Sequence, residues 1–306
     1  MKKIGLIFLI FIITALGSYS YNDSCKIRLP ETINRYQPTI LPVLSFDGKT
    51  LFIDRKLHPD NIGGVNDNDD IWISYLKGAW SEPINAGLLI NTIESDALFS
   101  ITPDDEFGLV YGIYDDEGQT KRPGFSLVSR HLNYYMNPEP LNIENYYNNW
   151  ENYHGYLSYN SKILILSLNR KDSYGKLDLY VSFKVGDENN WTEPLNLGLK
   201  INTSGIETAP YLCYDNKTLF FASDSRDGYG KQDLYYTRRL DDTWLNWSNP
   251  VNLGNNINSE FDDNSIYLTC FADSALIVSN DSINKRSGIY WVCIPKEFLP
   301  IPYYIV

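Results

Sequence analysis

The side chains best placed for chemistry in this 306-residue chain form a spaced set: Thr39, Asp96, Asn152, Glu207 and Asn264. Each stands six residues before a recurring Ser, Thr or Cys, at Ser45, Thr102, Ser158, Cys213 and Cys270. Carboxylates and amides gathered at one place could hold a cation or a polar ligand. Two carboxylates about 5 to 9.5 Å apart could instead cleave a glycosidic bond. Residues so distant in sequence meet only if each rides on an equivalent element, so the elements decide what the set can do.

Those elements come from a repeat. The pattern Trp-x2-Pro-[Ile/Leu/Val]-Asn-[Ala/Leu]-Gly-x2-Ile-Asn-[Thr/Ser] starts at Trp80, Trp191 and Trp247. The Ser/Thr/Cys landmarks are 57, 56, 55 and 57 residues apart, which divides the chain into five units of similar length. Each unit runs through a turn such as Asp47-Gly48-Lys49, a short apolar run such as Leu219-Phe220-Phe221, and a polar loop. A second run follows, such as Asp70-Ile71-Trp72-Ile73, Asp178-Leu179-Tyr180-Val181 or Asp233-Leu234-Tyr235-Tyr236. Short runs rich in β-branched and aromatic residues suit strands covered on both faces, and helical periodicity with capping is absent. The pattern predicts an all-β, five-bladed β-propeller of antiparallel four-stranded blades, with six blades as the alternative. The blades are predicted over residues 39–92, 93–145, 146–203, 204–259 and 260–296 of a single domain, 21–306. The second unit is degenerate: it keeps only Pro140-Leu141-Asn142 of the Trp-Pro block, and residues 142–153 read as a long connection.

The ring must also close, because an open array leaves unpaired sheet edges. The fifth unit has no Trp-Pro block, while Leu29-Pro30-x2-Ile33-Asn34 resembles the missing half, so residues 26–34 are expected to complete the last blade. In this registration Cys293 corresponds to Tyr75 and Cys25 to Gly78, which places the two cysteines across the closing strand pair and predicts a disulfide. Cys213 and Cys270 are expected to be small core residues at equivalent positions. No Cys-x2-Cys or Cys/His cluster suggests a metal, and no cofactor is implied.

Residues 1–20 have the order of a secretory signal peptide: Lys2 and Lys3, an apolar stretch, then Gly17, Ser18 and Ser20. Asn22-Asp23-Ser24 before Cys25 does not suit lipid attachment. No later segment is long and apolar enough to span a membrane. The formal net charge of −12 argues against nucleic acid and anionic lipid as partners. An exported protein, periplasmic or extracellular, is expected.

Ser45-Phe46-Asp47-Gly48-Lys49-Thr50-Leu51-Phe52, Glu207-Thr208-Ala209-Pro210-Tyr211-Leu212-Cys213-Tyr214-Asp215 and residues 224–235 resemble the repeats of TolB-like β-propellers, WD-like units with a Pro-Asp signature. The dipeptide itself survives at Pro103-Asp104. The resemblance implies a binding scaffold at a bacterial envelope, often fused to helical repeats or a peptidoglycan-binding domain; neither fusion is visible in this sequence.

Carboxylates that recur blade after blade, at Asp47, Asp104 and Asp215 and at Asp70, Asp178 and Asp233, read as turn and strand-start residues. His58, His131 and His154 accompany no nucleophile motif and read as loop residues. Tyr134, Tyr135, Tyr146 and Tyr147 are the aromatics free to meet a ligand. The expectation is a non-catalytic module that binds a protein or an envelope polymer such as peptidoglycan or another glycan, with Asp96, Asn152, Glu207 and Asn264 at one mouth of the channel. The alternative is a glycan-active enzyme on the same scaffold.

Overall fold

Apolar runs separated by tight turns can bury both faces only by stacking one small sheet on the next. The computed structural model describes residues 25–36, 38–115, 121–131, 134–135, 137–280 and 287–301; the expected signal peptide lies outside them. Five antiparallel sheets follow one another. Blade 1 comprises Thr39–Leu44, Thr50–Lys56, Asp69–Tyr75 and Ile84–Asn85, from the axis outward. Blade 4 repeats it with Glu207–Leu212, Thr218–Ser223, Asp233–Arg238 and Val251–Asn252. The innermost strands, Thr39–Leu44, Leu98–Ile101, His154–Leu157, Glu207–Leu212 and Asp263–Leu268, adjoin in a cycle that returns to the first. The molecule is therefore a closed five-bladed propeller. No helix among the described residues is long and apolar enough to cross a membrane.

The ring shuts as the missing Trp-Pro block requires. Lys26–Arg28 pairs antiparallel with Ser287–Cys293 as the outer strand of blade 5, and Cys25 and Cys293 are joined by a disulfide with Cα atoms 5.3 Å apart. The register differs from the expected one. Ile27 pairs with Trp291 as Ile84 pairs with Ile73, so Cys25 stands where Glu82 stands in blade 1, not Gly78. A disulfide of this kind belongs to a protein outside the reducing cytosol.

The Ile-Asn pair that ends each Trp-Pro block has a structural task. Asn91 Oδ1 accepts from Ile71 N–H and its Nδ2 donates to Ile71 C=O, both at 2.9 Å. Asn202 binds Leu179 and Asn258 binds Leu234 in the same way. Asn34 does so to Ile289 across the closure. The buried amide thus substitutes for a neighbouring strand where the outer strand has already ended.

The turns fix the repeat register. Ser45, Thr102, Ser158 and Cys213 each donate N–H to a carbonyl five residues on, and in blade 5 the residue that does so is Thr269, not Cys270. The fifth landmark therefore moves back by one. Cys213 and Cys270 are not equivalent; both are free thiols, the first buried and the second partly exposed. Three residues past each landmark, Gly48, Asp105, Ser161, Asn216 and Ala272 all have φ between 50° and 71°. Left-handed backbone costs an L-residue about 1–2 kcal/mol, partly offset by the stiffer unfolded chain. Ser161→Gly is expected to stabilise the protein by about 0.5–1 kcal/mol, read from the urea midpoint.

Blade 2 departs from its expected register. Leu141 N–H bonds Phe125 C=O as Ala86 bonds Ile71, so Pro140 occupies the place of Asn85 rather than of Pro83. The chain then continues into Asn142–Ile143, which pairs in parallel with Asn190–Trp191 of blade 3. The start of the expected connection is thus an extra strand on the neighbouring blade.

Candidate functional site

The five innermost strands bound an axial channel lined by Leu41, Phe99, His154, Tyr211 and Tyr267 among others. The cavity that these residues enclose has a volume of about 20 Å³, room for about one water molecule. The Tyr211 ring lies 4.7 Å from that of Tyr156 and 5.1 Å from that of Tyr267, so three blades fill the axis with aromatic rings. None of the described residues lining the channel is a carboxylate.

The spaced polar set does not converge there. Asp96 is buried, and its carboxylate accepts from Thr92 N–H at 2.6 Å. Glu207 is buried and accepts from Thr203 N–H at 2.8 Å, Thr203 Oγ1 at 2.6 Å and Ser223 Oγ at 2.8 Å. Burial raises the Glu207 pKa, against these hydrogen bonds, which lower it. With Thr269 as landmark, the fifth member of the set is Asp263 rather than Asn264. Asp263 is buried and accepts from Ser259 N–H and Oγ at 2.6 and 2.8 Å. Asn264 falls at a register shift between Asp263 and Ser265. Asn152 is exposed, and Thr39 is buried with its hydroxyl donating to Tyr36 C=O. Three of the five positions therefore carry carboxylates that tie the Asn-[Thr/Ser] end of one blade to the first strand of the next, which is local backbone bonding.

Other expectations also change. His58 is a loop residue as expected, though buried between the rings of Tyr36 and Trp72, whereas His154 begins an innermost strand. Burial, with the Lys56 charge beside it, depresses the His154 pKa to about 4. His131 ends a strand. Tyr146 packs edge-on against Phe125, and Tyr147 accepts a hydrogen bond from Lys171 N–H beneath the Arg170 guanidinium. The side chains of Tyr134 and Tyr135 lie outside the described ones.

Sequence reasoning missed an acidic group at the seam of blades 1 and 2. Asp54 is 1% exposed, and no hydrogen bond of normal geometry reaches either carboxylate oxygen. Burial foremost, then the negative charges of Asp69 and Asp96, pushes its pKa well above the usual carboxylate range; Lys56 and the Leu98 amide pull it down. Lys56 Nζ lies 3.4 Å from Asp69. The Tyr114 hydroxyl donates to Ile90 C=O at 3.0 Å and lies 3.5 Å from Asp96. A carboxylic acid held neutral beside other carboxylates has the electrostatics of an acid–base pair. The available signal was the repeat itself: strand pairing puts Tyr111, Ser167, Ala222 and Val278 at the corresponding place in the other blades. No group of three or more His, Cys, Asp or Glu among the described residues could hold a metal ion.

No protein-family model matches the chain, and no curated protein matches its sequence. Solved structures do. The sucrose-6-phosphate hydrolase of Lactobacillus gasseri aligns with TM-score 0.53 and 14% identity over 95% of this chain and 64% of its own. The Bacteroides ovatus xyloglucan PUL GH43B gives 0.52 and 12% over 92% of this chain and 60% of its own. The α-L-arabinofuranosidase of Lactobacillus brevis gives 0.50 and 10%, covering 91% and 98%. This chain thus spans less than two thirds of the first two. At these identities the likeness is one of fold.

Proposed function

We propose that this chain is an exported, glycan-directed β-propeller that binds its polymer without cleaving it. The observation that carries the reading is the axial channel, closed by tyrosine rings to about 20 Å³ and lined by no carboxylate among the described residues. Glycoside hydrolysis needs two carboxylates facing a space that admits a sugar. The glycan class is supported by the shared fold with proteins named for arabinofuranoside and sucrose-6-phosphate hydrolysis. Placement at a bacterial envelope is supported by the resemblance of the repeats to TolB-like units, the signal-like leader and the disulfide.

Hydrolysis is the second reading, favoured by the raised pKa of Asp54 beside Asp69 and Asp96. Against it, Asp54 is sealed from solvent. Incubation of the purified chain with arabinan, xyloglucan and peptidoglycan is expected to release no sugar, while affinity electrophoresis shows retardation by at least one polymer. Sugar release that disappears in Asp54→Asn, with an unchanged circular dichroism spectrum, would establish the enzyme reading instead.

A further inference from the structure

Blade 5 lacks a device that its neighbours share. In blades 1, 3 and 4 the third strand carries Asp70, Asp178 or Asp233 at or next to its first position, and the outer strand supplies Asn85, Asn196 or Asn252 to that carboxylate. The same carboxylates accept backbone N–H bonds from the loop above: Ile62 in blade 1, Tyr174 and Gly175 in blade 3, Tyr229 and Gly230 in blade 4. In blade 5 the pairing register puts Gly288 at the Asp position and Arg28 at the Asn position. Where blades 1, 3 and 4 have a carboxylate fastened to loop amides, blade 5 has a glycine, as blade 2 has Gly124.

Near this position, between blades 4 and 5, lies a cleft of about 470 Å³, within the roughly 300–1,000 Å³ typical of ligand sites. Tyr229, Phe261 and Tyr290 give it aromatic surface, and Asn255, Glu260 and Asn280 give it hydrogen-bonding edges. The Tyr229 side chain is 53% exposed. Lys26 also lines the cleft, but its ammonium is engaged: it donates to Ile257 C=O at 2.7 Å and Ser279 Oγ at 2.8 Å, lies 3.4 Å from Asp263, and sits 5.3 Å from the centre of the Tyr290 ring. With this ammonium engaged, the described residues lining the cleft present no free cation to an anion. Aromatic faces suit the C–H faces of sugar rings, and carboxamides suit their hydroxyls.

We propose that this seam cleft between blades 4 and 5 is a binding site for a neutral oligosaccharide, with Tyr229 as stacking platform and Asn255 as hydrogen-bonding partner. The proposal rests on the glycan-directed reading and moves its site from the axis to the closure seam.

The test is calorimetric titration of the full chain with neutral arabino-, xylo- and gluco-oligosaccharides, for the wild type, Tyr229→Ala, Asn255→Ala and Tyr174→Ala. Tyr174 is the matching tyrosine of blade 3, 49% exposed, and does not line this cleft. Tyr229→Ala is expected to weaken binding about tenfold or more, Asn255→Ala by about threefold or more, and Tyr174→Ala by less than twofold. Full affinity in Tyr229→Ala and Asn255→Ala, both with wild-type melting temperature, would overturn the seam site and leave glycan binding in place. Equal losses in Tyr174→Ala and Tyr229→Ala would also overturn it. No binding of any of these oligosaccharides by the wild type would overturn the seam site, and the absence of polymer retardation in affinity electrophoresis as well would overturn the glycan reading with it.

Discussion

Reduction of the Cys25–Cys293 bridge is expected to lower the stability of the ring by about 2–5 kcal/mol, at the upper end of what one disulfide supplies. The bridge spans 268 residues, so it restrains almost the whole described chain in the unfolded state. It also fastens the Lys26–Arg28 strand, which has three ladder positions against Ser287–Cys293. Released, this outer strand can fray and leave the last blade with an unpaired edge. The melting temperature of Cys25→Ser/Cys293→Ser should fall clearly below that of the oxidised wild type and should not respond to reductant. Equal melting temperatures for oxidised and reduced wild type would show that strand pairing alone closes the ring.

Asn258→Ala should cost about 2–4 kcal/mol, although it removes only one small side chain. Asn258 is 2% exposed and holds both the N–H and the C=O of Leu234. Leu253 N–H still serves that carbonyl after truncation, but the buried Leu234 N–H keeps no partner, and Asn252 Oδ1 is left with Gly254 N–H alone of its two donors. Asn34→Ala should do the same at the closure, where Ile289 N–H depends on it. The exposed neighbour Asn256→Ala should stay within about 0.5 kcal/mol of wild type. Urea denaturation of the three variants separates these outcomes. A small loss at Asn258 would mean that the sheet shifts to satisfy Leu234 by other means.

The blade count was legible because each blade must bury the same faces and turn through the same angles, so the residues that serve those needs recur. The Ile-Asn pair marks the end of each block, and Asn34, eleven residues before Ser45, marks the closure. Registers were less legible where no polar anchor recurs. Pro30 and Pro140 drew the alignment to the wrong prolines, because proline marks the absence of a donor rather than a defined partner. Thr269 and Cys270 are both small enough for the landmark, and only the Thr269 N–H bond to Ser274 C=O distinguishes them and so puts Asp263, not Asn264, in the spaced set.

The candidate site was less legible still. A carboxylate at a strand start looks the same in sequence whether it faces a ligand or caps an amide four residues upstream. The hydrogen bonds of Glu207 and Asp96 to Thr203 and Thr92 decide for the amide. Asp54 was visible only as a departure from the repeat, and the seam cleft, which residues of two blades line together, had no sequence signal of its own.

By itself, then, the sequence determined the propeller, its five blades and the cysteine pair that fastens it, since periodic packing needs write periodic residues. What fills the axis, which carboxylates are consumed and where a cleft opens were decided by the tertiary structure. Those properties depend on how side chains from different blades, fifty or more residues apart, share one volume and one set of hydrogen-bond partners.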